Sequence, residues 1–522
     1  MRLTVRFWEG LSLALALASL PCIAARAADE TANVAVRYHC AGRAELTANT
    51  NLVVLNKILS LPSTLPFRNL VLHRVSEMLA SGLNIGTNAA TTALLQPLLT
   101  DVLKTESAGN LGGSAAGPLD FVVALRLDAK ESQLWQNNFT KALAGAGEKF
   151  TTEGFTGRRW NGNGSNSLWI VPAGDWLLAG RGSELMPVQL EYLQQVKRQG
   201  RPVPPLRENW LDADMDWARL AAWAPDGSRL LKGARVKMNM AARKGTLHLS
   251  ASVIYPEGTA WKSDAWQVPT ELIRSPLTSF TAGQDVGALF KAAPIVSQLA
   301  GSLLTNQFYA WVKGEMPFQT YVAWPVADAS NVLEKLSTEA PSALNAGLKQ
   351  FNGSQLVWQT DDKRLYMANL GMVAPDLAVA EDHGRSYLLT TMFPLSPKDP
   401  PMRDELLKQV EGHTNLVYYD WELTGPRLQE LRLLAHMLLN RPGAKTHEAL
   451  AAKAIEERWL AGLRPMVGNT VTEITNVSPN EVSLVRNSPI GFTAIEILLL
   501  SDWLSEADAA PVSTPAPTLL NH

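Results

Sequence analysis

The densest group of side chains able to do chemistry is Asp212-Ala213-Asp214-Met215-Asp216. Residues two apart on a strand share a face, so an extended 212–216 turns three carboxylates to one side. Three convergent carboxylates suit a hard cation such as calcium. A calcium-binding helix–loop–helix counted from Asp212 needs Gly at its sixth position and Glu at its twelfth, where this chain has Trp217 and Trp223. No metal or other cofactor is assigned, and a solvated strand face explains the run. Asp216 and Asp420 each precede a tryptophan where a strand gives way to a helix. As a distant acid and base they would serve a hydrolase with dispersed acidic residues.

The histidines are His39, His73, His248, His383, His413, His436, His447 and His522. None forms H-x-x-x-H, H-x-H or H-E-x-x-H, the spacings that put two imidazoles on one metal. Of sixteen tryptophans, Trp160, Trp169 and Trp176 lie close together on or beside expected strands. Exposed indoles there would stack on sugar rings, whereas buried ones would be cross-strand partners. These three, with Asp212, Asp214, Asp216 and Asp420, are the candidate ligand-binding residues. The glycine runs Gly145-Ala146-Gly147, Gly162-Asn163-Gly164 and Gly112-Gly113-Ser114 lack the flanking residues of a phosphate loop or nucleophile elbow and read as turns or linkers.

The N-terminus carries Arg2 and Arg6, then the uncharged run Leu11 to Leu20, then Ala25-Arg26-Ala27. That order is expected of a secretory signal peptide over 1–27. The apolar run is too short for a bilayer core that needs roughly 20 residues. Cys22 follows Pro21, a poor context for lipidation, and cleavage after Ala27 leaves Cys40 as the one thiol. A single cysteine forms no internal disulfide, and Cys40 reads as a small buried side chain.

The chain has 47 basic and 49 acidic residues, and loss of 1–27 leaves a net charge of about −4. No basic block exists, which argues against a nucleic-acid partner. The best later apolar stretch, Phe492 to Leu504, is short and interrupted by Glu496, Ser501 and Asp502, so no transmembrane segment is expected in the mature chain. Residues 507–522 are rich in Ala, Pro, Ser and Thr and read as a disordered tail. A length of 522 residues calls for more than one core.

The elements that hold these residues follow one order twice. In the first half, Phe121 to Leu127 is an expected strand and Asp128 caps a helix. The strands Ser167 to Val171 and Trp176 to Ala179 follow, then a helix at 186–196 and a strand ending at Asp216. In the second half a helical stretch at 286–304 leads to strands at Tyr309 to Val312 and Gln319 to Trp324, and Asp328 caps a helix to Leu348. Strands at 356–358 and 364–367, a helix at 402–410 and a strand ending at Asp420 follow. Each half closes on a hairpin with period-2 alternation, which favours antiparallel sheets. The expected fold is therefore α+β, with two related units at 28–262 and 263–506. Each would be a mainly antiparallel sheet with helices packed on one face. The first unit carries an additional helical insert at 51–104.

Arg486-Asn487-Ser488-Pro489-Ile490-Gly491-Phe492-Thr493-Ala494-Ile495-Glu496 and Ser275-Pro276-Leu277-Thr278-Ser279-Phe280-Thr281-Ala282-Gly283 resemble segments of large exported bacterial proteins of uncharacterised function. The resemblance implies a periplasmic or secreted setting and no particular activity. Together these readings lead to an exported envelope protein with a binding or scaffolding role, whose partner is another envelope protein or a glycan. A hydrolase and a glycan-binding module are the alternatives.

Overall fold

The computed structural model describes residues 34–505 except 84, 113–119, 162–166, 183–186, 221–232, 259–263, 285–305, 315–318, 349–353, 370–374, 394–397 and 440–446. The expected signal peptide, the C-terminal tail, the Gly162-Asn163-Gly164 turn and the expected helix at 286–304 lie outside the described residues.

The chain opens with strand β1 (Val34–Cys40) and helices α1 (Arg43–Ala48), α2 (Val53–Leu59), α3 (Thr64–Gly82) and α4 (Ala89–Lys104). Strands β2 (Ser107–Gly112) and β3 (Asp120–Arg126) lead to α5 (Ala129–Ala142). A four-strand meander follows: β4 (Glu148–Thr152), β5 (Phe155–Asn161), β6 (Ser167–Ala173) and β7 (Trp176–Gly182). Then come α6 (Pro187–Gln199), β8 (Asn209–Asp216), α7 (Trp217–Leu220), β9 (Arg235–Arg243) and β10 (Thr246–Ile254).

The second half runs β11 (Leu277–Gln284), β12 (Gln307–Lys313), β13 (Thr320–Pro325) and α8 (Ala329–Leu348). Its meander is β14 (Gln355–Gln359), β15 (Arg364–Ala368), β16 (Asp376–Asp382) and β17 (Arg385–Thr391). It closes with α9 (Asp404–Glu411), β18 (Leu416–Leu423), α10 (Thr424–Leu439), α11 (His447–Leu463), β19 (Asn469–Ser478), β20 (Glu481–Ser488) and α12 (Ala494–Ser505).

Among the described residues, all twenty strands belong to one antiparallel sheet. Across it the order is β4-β5-β6-β7-β3-β2-β1-β8-β9-β10-β20-β19-β18-β11-β12-β13-β17-β16-β15-β14. Read outward from the β10–β20 pair, both halves use the same succession of strands. Irregularities recur in the same places. A bulge between Val34 and Val36 in β1 matches one between Leu277 and Ser279 in β11. A second, between Asn209 and Leu211 in β8, matches one between Leu416 and Tyr418 in β18.

These fixed points give a register between the halves. Ala213 stands where Asp420 stands, and Met215 where Glu422 stands. The expected match of Asp216-Trp217 with Asp420-Trp421 is therefore displaced by three residues. Asp216 and Leu423 are the true counterparts, each ending its strand one residue before a helix.

Local signals explain several elements directly. Asp128 accepts from the Glu131 amide at 2.7 Å and Glu131 answers on the Asp128 amide, a capping box that starts α5. Asp328 accepts from the Asn331 amide at 3.1 Å at the start of α8. On α5, Trp135 and Phe139 are one turn apart and buried together.

Helices cover both faces of the sheet, which corrects the expectation of one covered face. In β6, Leu168 and Ile170 pack with Trp135 and Phe139 of α5 and with Ala80, Leu95 and Leu98. Trp169 and Val171 face the other way, against Tyr192, Leu193 and Val196 of α6. Alternating strand residues are apolar on both sides, so both need a lid. Close approach is obligatory at Gly180, where a Cβ would sit 2.2 Å from the Trp169 ring and 2.8 Å from the Phe121 carbonyl. Gly180→Ala is expected to lower stability by about 1–3 kcal/mol in denaturant titration; a change within ~0.5 kcal/mol would show that the ring moves freely.

The 51–104 insert has two structural jobs. Ala80 of α3 and Leu95 and Leu98 of α4 roof the first-half core. Leu55 and Ile58 of α2 and Phe67 of α3 join Trp459, Leu460 and Leu463 of α11 and Ile497 of α12 in one core. With the β10–β20 pair, that shared core makes the halves a single packed body.

Candidate functional site

An open cleft of about 770 Å³ lies in the first half where β1 and β3 end and β2 begins. One wall is α1 with Glu45 and Leu46; the other is the loop 200–208 with Pro205, Leu206 and Arg207. Lys104, Glu106, Arg126 and Arg201 form the charged side, and Trp210 and Ala242 add an apolar patch. The Trp210 indole is fixed by donating to the Gly42 carbonyl at 2.7 Å.

Glu106 is the hub. It meets His39 Nε2 at 3.0 Å, Arg201 at 2.5 Å and Arg126 at 3.5 Å. Burial alone would raise its pKa, but the His39 hydrogen bond and the nearby Arg201 and Arg126 charges outweigh it and hold the carboxyl below the usual range. Glu106 is thus a fixed negative charge with ion-pair partners, suited to orienting a ligand and poorly suited to shuttling protons near neutrality. The Arg201 guanidinium also reaches the Val203 carbonyl at 2.8 Å, which ties the loop to the sheet. In the second half Gln307 takes the place of Glu106, and the corner is closed by residues 264–267, whose main chain bonds to Gln307 and Gln284.

Cys40 lies beside His39 but is no nucleophile. It is 3% exposed, and burial pushes its thiol up to about 11, with the Gly42 amide opposing and Glu106 adding. Thiolate, the reactive form, is scarce at that value.

The residues singled out in the sequence are dispersed. Asp212, Asp214 and Asp216 do share one face of β8, yet each has its own partner. Asp212 accepts from Asn209 at 2.5 Å. Asp214, 5% exposed, takes both Arg235 nitrogens. Asp216 accepts from the Arg219 amide at 3.2 Å and pairs with its guanidinium. Among the described residues no three His, Cys, Asp or Glu side chains are grouped to hold a metal.

Asp420 is in β18, five strands from Asp216, which is roughly 24 Å at the usual spacing. An acid–base pair across that gap is not possible within one substrate. Trp160, Trp169 and Trp176 are 6%, 2% and 2% exposed and belong to cores on opposite sheet faces, so they offer no platform for a sugar. The correction has a simple cause, since a strand covered on both sides buries its aromatics whichever way they point.

Glu106, Arg126 and Arg201 escape sequence reasoning because Glu106 reaches His39, Arg201 and Arg126 across 67, 95 and 20 residues. Only the folded sheet makes them neighbours. The one local hint is the Pro-rich run from Arg201 to Arg207, too rigid to continue a helix.

No protein-family model matches the chain, and no curated protein does. Among solved structures, crystal forms I and III of TP0453 align over 46% of this chain and 100% of theirs. Identity is 10% in both, with TM-scores of 0.23 and 0.21. Among the described residues no helix is long and apolar enough to cross a membrane.

Proposed function

We propose that this is an exported envelope protein with a binding role, built by duplication of one α+β unit and specialised in its first half for a small polar ligand. The observation that carries the reading is the cleft around Glu106. Its size falls within the range of small-molecule sites. Its lining has both signs, Lys104, Arg126, Arg201 and Arg207 against Glu45, Glu106 and Glu208, beside the apolar Leu206 and Trp210. A zwitterionic ligand of amino-acid or short-peptide size matches that lining. The shared strand succession and matched bulges support duplication. The Arg2, Arg6, Leu11–Leu20 and Ala25-Arg26-Ala27 pattern supports export to a periplasmic or extracellular setting, in keeping with the resemblance of 275–283 and 486–496 to large exported proteins.

The test is mass spectrometry of protein purified after export. The denatured mass is expected to correspond to cleavage near Ala27. A set of free amino acids and dipeptides should then include compounds that raise the melting temperature, an effect lost in Arg201→Ala. A mass that retains 1–27 defeats the export reading. Failure of every compound to shift the melting point, or equal shifts in Arg201→Ala, defeats the ligand reading.

A further inference from the structure

Beneath α10 and α12 the second half contains a polar layer that the fold itself does not require. Asp420 accepts from Thr281 Oγ1 at 2.6 Å. Glu422 accepts from Thr424 Oγ1 at 3.0 Å and from the Ala494 amide, at the start of α12, at 2.7 Å. Thr424 and Thr470 are 2.8 Å apart. Arg486 donates to Thr472 Oγ1 at 3.0 Å and to Glu496 at 2.8 Å. Glu430 of α10 accepts from Thr278 at 3.0 Å and lies 3.7 Å from Arg427.

The first half is a control within the same molecule. In matching register, Thr281, Asp420, Thr472 and Arg486 correspond to Tyr38, Ala213, Met238 and Ala251. Glu422 and Thr470 correspond to Met215 and Val236. The same sheet face is thus built once mainly from apolar side chains and once from a hydrogen-bonded ionic layer. Apolar replacement of buried ion pairs is often neutral or stabilising, so stability alone gives no reason for the ionic version. The charges are also unbalanced, with four carboxylates, Asp420, Glu422, Glu430 and Glu496, facing two guanidiniums, Arg427 and Arg486.

We infer that this layer is a proton-binding switch that couples the attachment of α10 and α12 to pH. While the layer holds a proton, Glu422 ties β18 to Thr424 and to the first turn of α12 at no cost in buried charge. Loss of that proton leaves Asp420 and Glu422, two apart on one strand face, both ionised under the helices. Glu422 feels Asp420 and Tyr418 from β18 and Arg427 from α10; Arg486 from β20 and Glu496 from α12 act on Asp420 and Tyr418 in the same layer, and Glu430 of α10 joins it through Arg427 and Thr278. From α11, Glu456 is bonded to Ser501, with Arg432 and Glu457 at the rim.

Burial, with Asp420 adding, pushes Glu422 up to about 7; the Ala494 amide, Thr424 and Arg427 pull the other way. Burial also raises Asp420 and Glu430. A carboxyl with a raised folded pKa favours folding while protonated. Its stabilisation is complete below the ordinary value of 4.5 and is lost as pH rises through 7.

The test is hydrogen exchange of the full chain, read by mass spectrometry at pH 5.5 and 8.0 and corrected for intrinsic exchange. Peptides from 424–439 and 494–505 are expected to open at least about tenfold more readily at pH 8.0, while 209–216 and 235–254 stay unchanged. Glu422→Gln should remove most of the difference. Asp420→Ala with Glu422→Met, which copies the first half, should remove it all. Equal protection of the helices at both pH values would overturn the inference, as would a pH response that persists in Glu422→Gln or spreads equally to 209–254.

Discussion

Trp459→Ala is expected to lower stability by about 3–5 kcal/mol, read from the denaturant midpoint at constant slope. Trp459 of α11 stacks on Phe67 of α3, with centroids 3.9 Å apart and planes 5° from parallel. It sits in a core to which both halves contribute, beside Leu55, Ile58, Leu460, Leu463 and Ile497. Truncation removes the largest side chain of that junction together with an aromatic pair worth about 0.5–1.5 kcal/mol beyond its buried area. The indole nitrogen is buried without a hydrogen-bond partner, so the loss is one of packing and not of a polar contact. Because this core joins the halves, calorimetry of the variant should resolve two transitions where the parent shows one. A loss under ~1 kcal/mol with a single transition would mean that the β10–β20 pairing holds the halves together by itself.

The second large effect concerns the one member of the aspartate run that is deeply buried. Arg235→Met strips Asp214 of its bidentate partner. Breaking a buried pair on one side costs about 3–5 kcal/mol, and since the Arg235 side chain is 37% exposed, water reaches the pair and about 3 kcal/mol is expected. Arg37 stands directly across from Asp214 on β1 and limits the damage further. The double variant Asp214→Leu with Arg235→Met should recover most of the loss, because an apolar pair leaves no stranded charge. If the two single variants and the double variant lose equal stability, the pair acts as packing and its charges are irrelevant.

Much of the first-half cleft and, apart from Asp420, the second-half polar layer were illegible in the sequence. The aspartates of 212–216 were visible as a run, but not that Asn209, Arg235 and Arg219 would take one each. Glu422 sits in a strand with Asp420 and shows no motif. Its raised pKa comes from the helices laid over it, a property of burial that spacing does not encode. For Trp160, Trp169 and Trp176 the sequence allowed either exposed rings or buried cross-strand partners, and two-sided cover of the sheet decided for burial.

The order of strands and helices was legible in outline, and the correspondence between the halves was misaligned in detail. Each half has a four-strand meander, and the sequence revealed only two strands in each: β6 and β7 in the first half, β14 and β15 in the second. These are not counterparts, since β6 and β7 correspond to β16 and β17; on the equivalent strands β8 and β18, Asp216 and Asp420 are three residues out of register. β2, Ser107-Ala108-Gly109-Asn110-Leu111-Gly112, carries no strand signal in its sequence. It is an interior strand in which Gly109 lies against the Tyr38 ring, where a Cβ would come within 2.3 Å. A strand that pairs on both sides draws its stability from neighbours, so its own residues need carry little strand propensity.

By itself the sequence determined the α+β class, the Asp128 and Asp328 helix starts and the closing hairpins at 243–246 and 478–481. Those features rest on backbone geometry and on alternation within about ten residues. The tertiary structure alone decided that Leu247 pairs with Ser488 and joins two half-sheets, that helices cover both faces, and that Glu106 gathers its partners at a cleft. Such choices depend on which apolar faces and charges meet after collapse, between residues up to 241 apart in the chain. Local periodicity states that a face must be covered, and only the packed molecule determines what covers it.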